Sequence, residues 1–219
     1  MKIYIDSGNT EEIKEANKLG ILDGVTTNPT LISWETKRSG KKHKEILKEI
    51  CDIVKGDVSA EVLSLDSSGM IAEGKELSKI ASNIVIKIPI TKEGLIAIKG
   101  LSLKGIKTNA TLCFSPLQAL LVAKAGASFV SPFIGRLDDI SEVGINLVVV
   151  IRQIFLNYNI PTKIIVASIR NPLHIIDSAR VGADIVTVPF NVIEKLLYHP
   201  LTIKGLENFL NDSKEGVQC

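Results

Sequence analysis

Lys87 stands inside an aliphatic run, Ile84-Val85-Ile86-Lys87-Ile88-Pro89, for which a strand is the expected conformation. Period-two alternation puts its side chain on the same face as Val85. Burial disfavours the charged form of an amine, and a lysine whose amine is neutral near physiological pH attacks a carbonyl carbon to form a Schiff base. A lysine snorkelling from a strand end into solvent is the competing reading of this segment alone. Two acids count against it. Glu61, in Ser59-Ala60-Glu61-Val62, and Asp6, in Tyr4-Ile5-Asp6-Ser7, are also embedded in strand-like runs, where desolvating a carboxylate is costly unless it has a partner or a task. Schiff-base formation, its dehydration and carbon–carbon cleavage all move protons, so an amine of this kind needs acid/base groups beside it.

Polar side chains recur at the ends of the other aliphatic runs: Thr26 with Asn28, Asn109 with Thr111, Ser131 with Arg136, and Ser168 with Arg170. Taken singly, strand-end Asn and Asp often cap helices, and Thr is a good strand residue. Together they point to one polar mouth. Arginine is scarce here beside lysine, and Arg136 and Arg170 both follow late strands. A planar guanidinium fork binds phosphate oxygens in pairs, and Ser168 could add a hydroxyl. For Arg136, a surface salt bridge to Asp138 or Asp139 is the alternative.

These residues need elements to position them. Short β-branched runs at 2–5, 24–27, 58–62, 84–88, 107–112, 129–134, 163–169 and 185–188 alternate with segments of helical period, making about eight βα units. One such segment is 10–19, with Glu11 and Glu12 at its start and Gly20 as its stop. Another is 144–157, where Ile145, Val148, Val149, Ile151, Ile154 and Phe155 are expected to face inward; a partner surface over 143–154 is the less common meaning of such a stripe. Alternation implies parallel pairing. At 219 residues, eight units favour an α/β fold of one kind, a single (β/α)8 TIM barrel with parallel strands, over an open doubly wound sheet. In such a barrel the working residues project from the C-terminal ends of the strands. No linker divides the chain, so residues 1–219 are read as one domain, with a closing helix at about 202–212. Many of the glycines are expected at helix ends, as at Gly20, Gly105, Gly126 and Gly182.

Composition narrows the partners. The 26 basic and 24 acidic residues are scattered, with a formal net charge of +2, so no basic face for nucleic acid is expected. No apolar run is long enough for a membrane span or a signal peptide, and a cytoplasmic protein is expected. Cys51, Cys113 and Cys219 form no CxxC pair and read as two packing residues and a tail thiol. His43, His174 and His199 show no metal-ligand spacing and read as surface or helix-packing residues. No GxGxxG or Walker-type loop is present. Neither a metal nor a cofactor is expected.

Six segments in order along the chain carry a family resemblance: Asp6-Ser7, Gly24-Val25-Thr26-Thr27-Asn28-Pro29-Thr30-Leu31-Ile32, Val85-Ile86-Lys87-Ile88-Pro89, Thr108-Asn109-Ala110-Thr111-Leu112, Ser131-Pro132-Phe133-Ile134-Gly135-Arg136, and Val166-Ala167-Ser168-Ile169-Arg170. The chain resembles the short, Schiff-base-forming transaldolases of the transaldolase/fructose-6-phosphate aldolase family. That resemblance implies a transferase in which Lys87 attacks the ketone of sedoheptulose 7-phosphate or fructose 6-phosphate. Asp6 would take the hydroxyl proton as the carbon–carbon bond breaks, and a dihydroxyacetone unit would stay on Lys87 until an acceptor such as glyceraldehyde 3-phosphate takes it. It further implies that Glu61 works through a water positioned by Thr111. Thr26, Asn28, Asn109, Ser131 and Phe133 would line the substrate site, with Arg136, Ser168 and Arg170 on the phosphate. The related aldolases are typically marked by Gln at the position of Glu61 and Tyr at that of Phe133, so this chain has the transferase pair. The resemblance also implies a homo-oligomer, a pentamer or decamer. One departure falls after Phe209, where the tail reads Leu210-Asn211-Asp212-Ser213 without the tryptophan common in short members. A simple aldolase and a non-catalytic sugar-phosphate-binding barrel are the alternatives.

Overall fold

Each aliphatic run becomes one short parallel strand, and each intervening segment of helical period returns the chain along the outside. The structure, a computed structural model, describes residues 1–215. The strands are β1 (Lys2–Asp6), β2 (Gly24–Thr26), β3 (Val58–Glu61), β4 (Ile84–Pro89), β5 (Thr108–Cys113), β6 (Phe129–Pro132), β7 (Lys163–Val166) and β8 (Ile185–Val188). They pair in sequence order, and β8 pairs with β1, so the sheet closes into an eight-stranded parallel barrel. The open sheet is therefore excluded.

The helices are α1 (Thr10–Lys18), α2 (Pro29–Ser39), α3 (His43–Ile53), α4 (Ser67–Ser78), α5 (Lys92–Ser102), α6 (Pro116–Ala125), α7 (Ile134–Asp138), α8 (Ile145–Asn157), α9 (Pro172–Val181), α10 (Phe190–Leu197) and α11 (Pro200–Glu215). Their starts are written in the sequence. Asn28 accepts the Leu31 N–H with its side chain while Pro29 opens α2, and Asn171 and Pro172 do the same for α9. Gly126 and Gly182 end α6 and α9 in the left-handed conformation that a side chain would resist. The closing helix is longer than expected, running from Pro200 to Glu215.

Two apolar cores follow from strand alternation. Outward-facing residues such as Ile5, Val25, Ile86, Ile88 and Val130 pack beneath the helices in one large cluster. Burying a side chain of this size contributes roughly 1.5–3 kcal/mol. Inside the barrel a second cluster of Tyr4, Val85, Phe129, Ile165 and Ile185 makes an apolar floor. Gly24 pairs with Tyr4, and a Cβ there would lie 2.7 Å from the Tyr4 ring, so the aromatic fills the space that a β2 side chain would occupy. Two residues further along the same strands stand Asp6, Lys87, Ser131 and Thr187. Alternation alone thus puts them on top of the floor.

Several boundaries differ from expectation. The run at 129–134 leaves the sheet at Pro132 because Ile134 opens α7, and that at 163–169 ends at Val166 because Ser168 turns to a φ of 62°. One bridge, Phe133 to Ala167, continues the pairing. In β5 the register to β6 shifts between Ala110 and Cys113, where Leu112 has a φ of 60°. Such bulges re-aim side chains at barrel rims. On α8, Leu147, Val148, Ile151 and Phe155 are buried, but Val149, expected inward, is 45% exposed: the helix shows only one face to the sheet.

Candidate active site

At the C-terminal end of the barrel a cavity of about 550 Å³ opens, lined among others by Asp6, Thr26, Asn28, Glu61, Lys87, Thr111, Ser131, Phe133, Arg136, Ser168 and Arg170. Its base is built by register. Glu61 and Lys87 are paired across β3 and β4, Lys87 and Asn109 across β4 and β5, and Asp6 and Thr26 across β1 and β2. Paired residues on neighbouring parallel strands point the same way, so these side chains enter the barrel together.

Lys87 is 4% exposed, which removes the snorkelling alternative. Its Nζ donates to the Thr27 carbonyl at 2.8 Å and lies 3.1 Å from Glu61 Oε2. Asp6 accepts the Thr26 hydroxyl at 2.7 Å, and Thr26 shares a 2.6 Å hydrogen bond with Thr187. Burial pushes the Asp6 carboxyl above its ordinary value of 3.8, against the opposing pull of the Lys87 charge and the Thr26 hydrogen bond. A carboxyl shifted upward holds its proton more readily than an ordinary aspartate, which suits it to acid/base exchange. Thr111 Oγ1 is buried on the same face and has no hydrogen-bond partner among the described residues.

Asn109 sits one layer down. It is fully buried, its amide nitrogen donates to Ser59 Oγ at 3.1 Å, and its Oδ1 accepts from the Ser131 hydroxyl at 2.8 Å. It does not line the cavity: its amide is engaged with Ser59 beneath and with Ser131 at the cavity base. Asn28 lines the cavity while its Oδ1 caps α2 at 3.0 Å, which leaves its amide N–H groups for a ligand.

The far wall is cationic. Arg136 makes no ion pair among the described residues; its guanidinium carbon lies 5.2 Å from the Phe133 ring centroid, a cation–π contact that turns it along the wall. Arg170 is the arginine that forms the surface bridge, at 3.0 Å to Asp139. Gly135 lets the two segments meet, since a Cβ there would stand 2.1 Å from the Ser168 carbonyl oxygen.

Of the lining residues that the sequence does not single out, three bear most on the shape of the site. Thr187 had a readable signal, a hydroxyl at the inward position of Ile185-Val186-Thr187-Val188. Trp34, the one tryptophan of the chain, is 63% exposed on α2 beside the mouth. Leu112 enters the wall through the β5 bulge, which residue types do not announce. Cys51 and Cys113 are buried thiols, pushed up by desolvation to about 11 and about 12, and Cys219 lies outside the described residues. Among the described residues, no three or more His, Cys, Asp or Glu side chains gather as a metal site would need. No helix among them is long and apolar enough to cross a membrane.

Comparison with known proteins agrees with this geometry. The sequence profile of the family described as Transaldolase/Fructose-6-phosphate aldolase matches residues 3–217. A protein of Methanococcus maripaludis named "Probable transaldolase" is 57% identical over 212 residues, 97% of each chain. Proteins of the same name from Methanococcus vannielii and Geotalea daltonii are each 58% identical over the same share. With nearly its whole length matched and the barrel mouth built as described, the chain belongs to the transaldolase/fructose-6-phosphate aldolase family.

Proposed function

We propose that the chain is a transaldolase, transferring a dihydroxyacetone unit from a ketose phosphate to an aldose phosphate through a Schiff base on Lys87. The observation that carries this reading is the amine itself: a buried Nζ 3.1 Å from one carboxylate, at the base of a cavity that a second carboxyl also lines. The Lys87 nitrogen adds to the ketone carbon, a proton passes to the oxygen, and water leaves to give the iminium. Glu61, within reach of Nζ, exchanges protons in these steps through a water held by Thr111. The bond between C3 and C4 then breaks. Asp6 takes the C4 hydroxyl proton, the aldose phosphate departs, and the bonding electrons stay in the enamine on Lys87. The enamine attacks the acceptor aldehyde, Asp6 returns its proton, and water hydrolyses the new ketose from Lys87.

Arg136, Ser168 and Arg170 would take the substrate phosphate, because they stand together on the far wall and a guanidinium fork matches phosphate oxygens. Thr26, Asn28, Ser131 and Phe133 would shape the donor site, with Asn109 acting through Ser131. Sedoheptulose 7-phosphate and fructose 6-phosphate are the proposed donors, and no metal takes part. The homo-oligomer belongs to the same proposal, in keeping with the exposed Leu201, Leu206, Phe209 and Leu210 of α11.

Simple aldol cleavage is the second reading. Glu61 and Phe133, where the resembling aldolases carry Gln and Tyr, favour transfer. The test supplies fructose 6-phosphate and an aldose phosphate with a chelator present, and measures transfer product against free dihydroxyacetone. Transfer product in excess is expected. Free dihydroxyacetone as the main product would overturn the transferase reading, and loss of activity in chelator would overturn the metal-free route.

A further inference from the structure

The anion-binding wall has a feature that the reaction above does not use. His174 lies in the first turn of α9, held there by Asn171, whose Oδ1 accepts the Leu173 and His174 N–H groups. Its ring joins the two segments that carry the arginines. On one side the Arg170 N–H donates to Nδ1 at 3.3 Å. On the other, Nε2 stands 3.1 Å from Asp138 Oδ2, two residues beyond Arg136. These partners assign the ring proton: Nδ1 accepts and therefore carries none, so Nε2 is the N–H that donates to the carboxylate. Asp138 is itself fixed, its Oδ1 accepting the Gly144 N–H at 2.9 Å.

We propose that His174 is a positioning residue for the phosphate grip, setting the spacing between the Arg170 loop and α7 so that both guanidinium groups reach one phosphate. This rests on the reading that Arg136, Ser168 and Arg170 bind that phosphate. Three observations support it. The His174 side chain is 15% exposed, so packing fixes the orientation of the ring, while its partners Asp138 and the Arg170 N–H are more open to water. The loop it holds contains Ser168 in the left-handed region, a conformation that needs support from its surroundings. The other link between the segments, the ion pair of Arg170 with Asp139, is exposed on both sides and competes with phosphate for the Arg170 guanidinium. The imidazole is then the link that persists with substrate bound.

Asp139 and His174 therefore act with opposite sign. Asp139 competes with phosphate for Arg170, while His174 holds Arg170 where phosphate can reach it.

The test uses the full-length protein and two probes: inorganic phosphate as a competitive inhibitor, and a pair of donors, fructose 6-phosphate and unphosphorylated fructose. His174→Ala is expected to raise the phosphate inhibition constant and the fructose 6-phosphate KM on the order of tenfold, as loss of an orienting partner does elsewhere. Turnover of fructose should stay within about twofold, since the amine and its carboxylates are untouched. His174→Asn, whose Oδ1 can accept the Arg170 N–H but which does not reach Asp138, should recover only part of the loss, and Asp139→Asn should lower the inhibition constant. If His174→Ala does not fold, His174→Gln is measured in its place, and the same rise is expected because its longer side chain has no acceptor at the Nδ1 position. An equal loss on both donors, or an unchanged phosphate constant, would overturn the role of His174. Arg136→Ala and Arg170→Ala separate the two levels. If they weaken phosphate binding and the His174 variants do not, this proposal alone falls; if they leave it unchanged, the phosphate-grip reading falls with it.

Discussion

Lys87 Nζ is clamped between the Thr27 carbonyl at 2.8 Å and Glu61 Oε2 at 3.1 Å. Glu61 ends β3 and Thr27 follows β2, both on one side of β4, so the amine leans toward that side. A long side chain held in this way loses its freedom before substrate arrives, which lowers the entropic cost of attack. The Glu61 contact also gives it a partner for proton exchange.

Glu61→Gln keeps the size and removes the base. Loss of a positioned acid/base group costs roughly 10²–10⁴-fold. Transfer kcat is expected to fall by about that factor, with trapping on Lys87 still detectable. The residual activity should shift toward free dihydroxyacetone, given the Gln of the resembling aldolases. Product ratios by chromatography check this, and an unchanged kcat would contradict it.

Asp6 gives a pH dependence with a definite sign. Its carboxyl is raised above 3.8 by burial, so the folded state is favoured by the protonated form. That contribution is fully present below 3.8 and is lost as pH rises through the raised value. Asp6→Asn removes the penalty. Its Tm relative to the parent should therefore increase as pH rises from about 3 to 8. Activity runs the other way, because the carboxylate must be free to take a proton. The acid limb of kcat should lie above the ordinary aspartate range, and Asp6→Asn should lose nearly all turnover. A Tm difference that does not change with pH would count against the assignment.

Thr108 and Thr111 both bury a hydroxyl with no partner among the described residues, three positions apart on β5 and on opposite faces. Only Thr111 lines the cavity. Replacing an unpaired buried hydroxyl with an apolar group of similar shape is neutral or stabilising, by up to about 1 kcal/mol. Thr108→Val should gain stability without altering kcat. Thr111→Val should match it in denaturant melts while losing roughly 10–100-fold in kcat, at the low end of an acid/base contribution. Equal kinetics for the two variants would remove the water-positioning role of Thr111.

How far the molecule was legible in its residues depends on whether the signal was local. Lys87, Glu61 and Asp6 were readable because an ionisable side chain inside an aliphatic run must sit where a strand emerges from the packed interior. The barrel was readable from the same alternation. The strand position of Asn109 suggests the mouth, yet it lies one layer down; its depth depends on Ser59 and Ser131, which come from other strands. The early ends of β6 and β7 follow from backbone turns at Ile134 and Ser168 that residue type does not reveal. The spacing of His174 announces only a surface or packing histidine, because its partners, Asp138 and the Arg170 N–H, meet it only after folding.

Mass analysis after borohydride reduction in the presence of fructose 6-phosphate probes the nucleophile directly. A dihydroxyacetone-derived or ketose-derived adduct is expected on the peptide containing Lys87, and none in Lys87→Met. An adduct on a different lysine, or full transfer activity in Lys87→Met, would contradict the assignment.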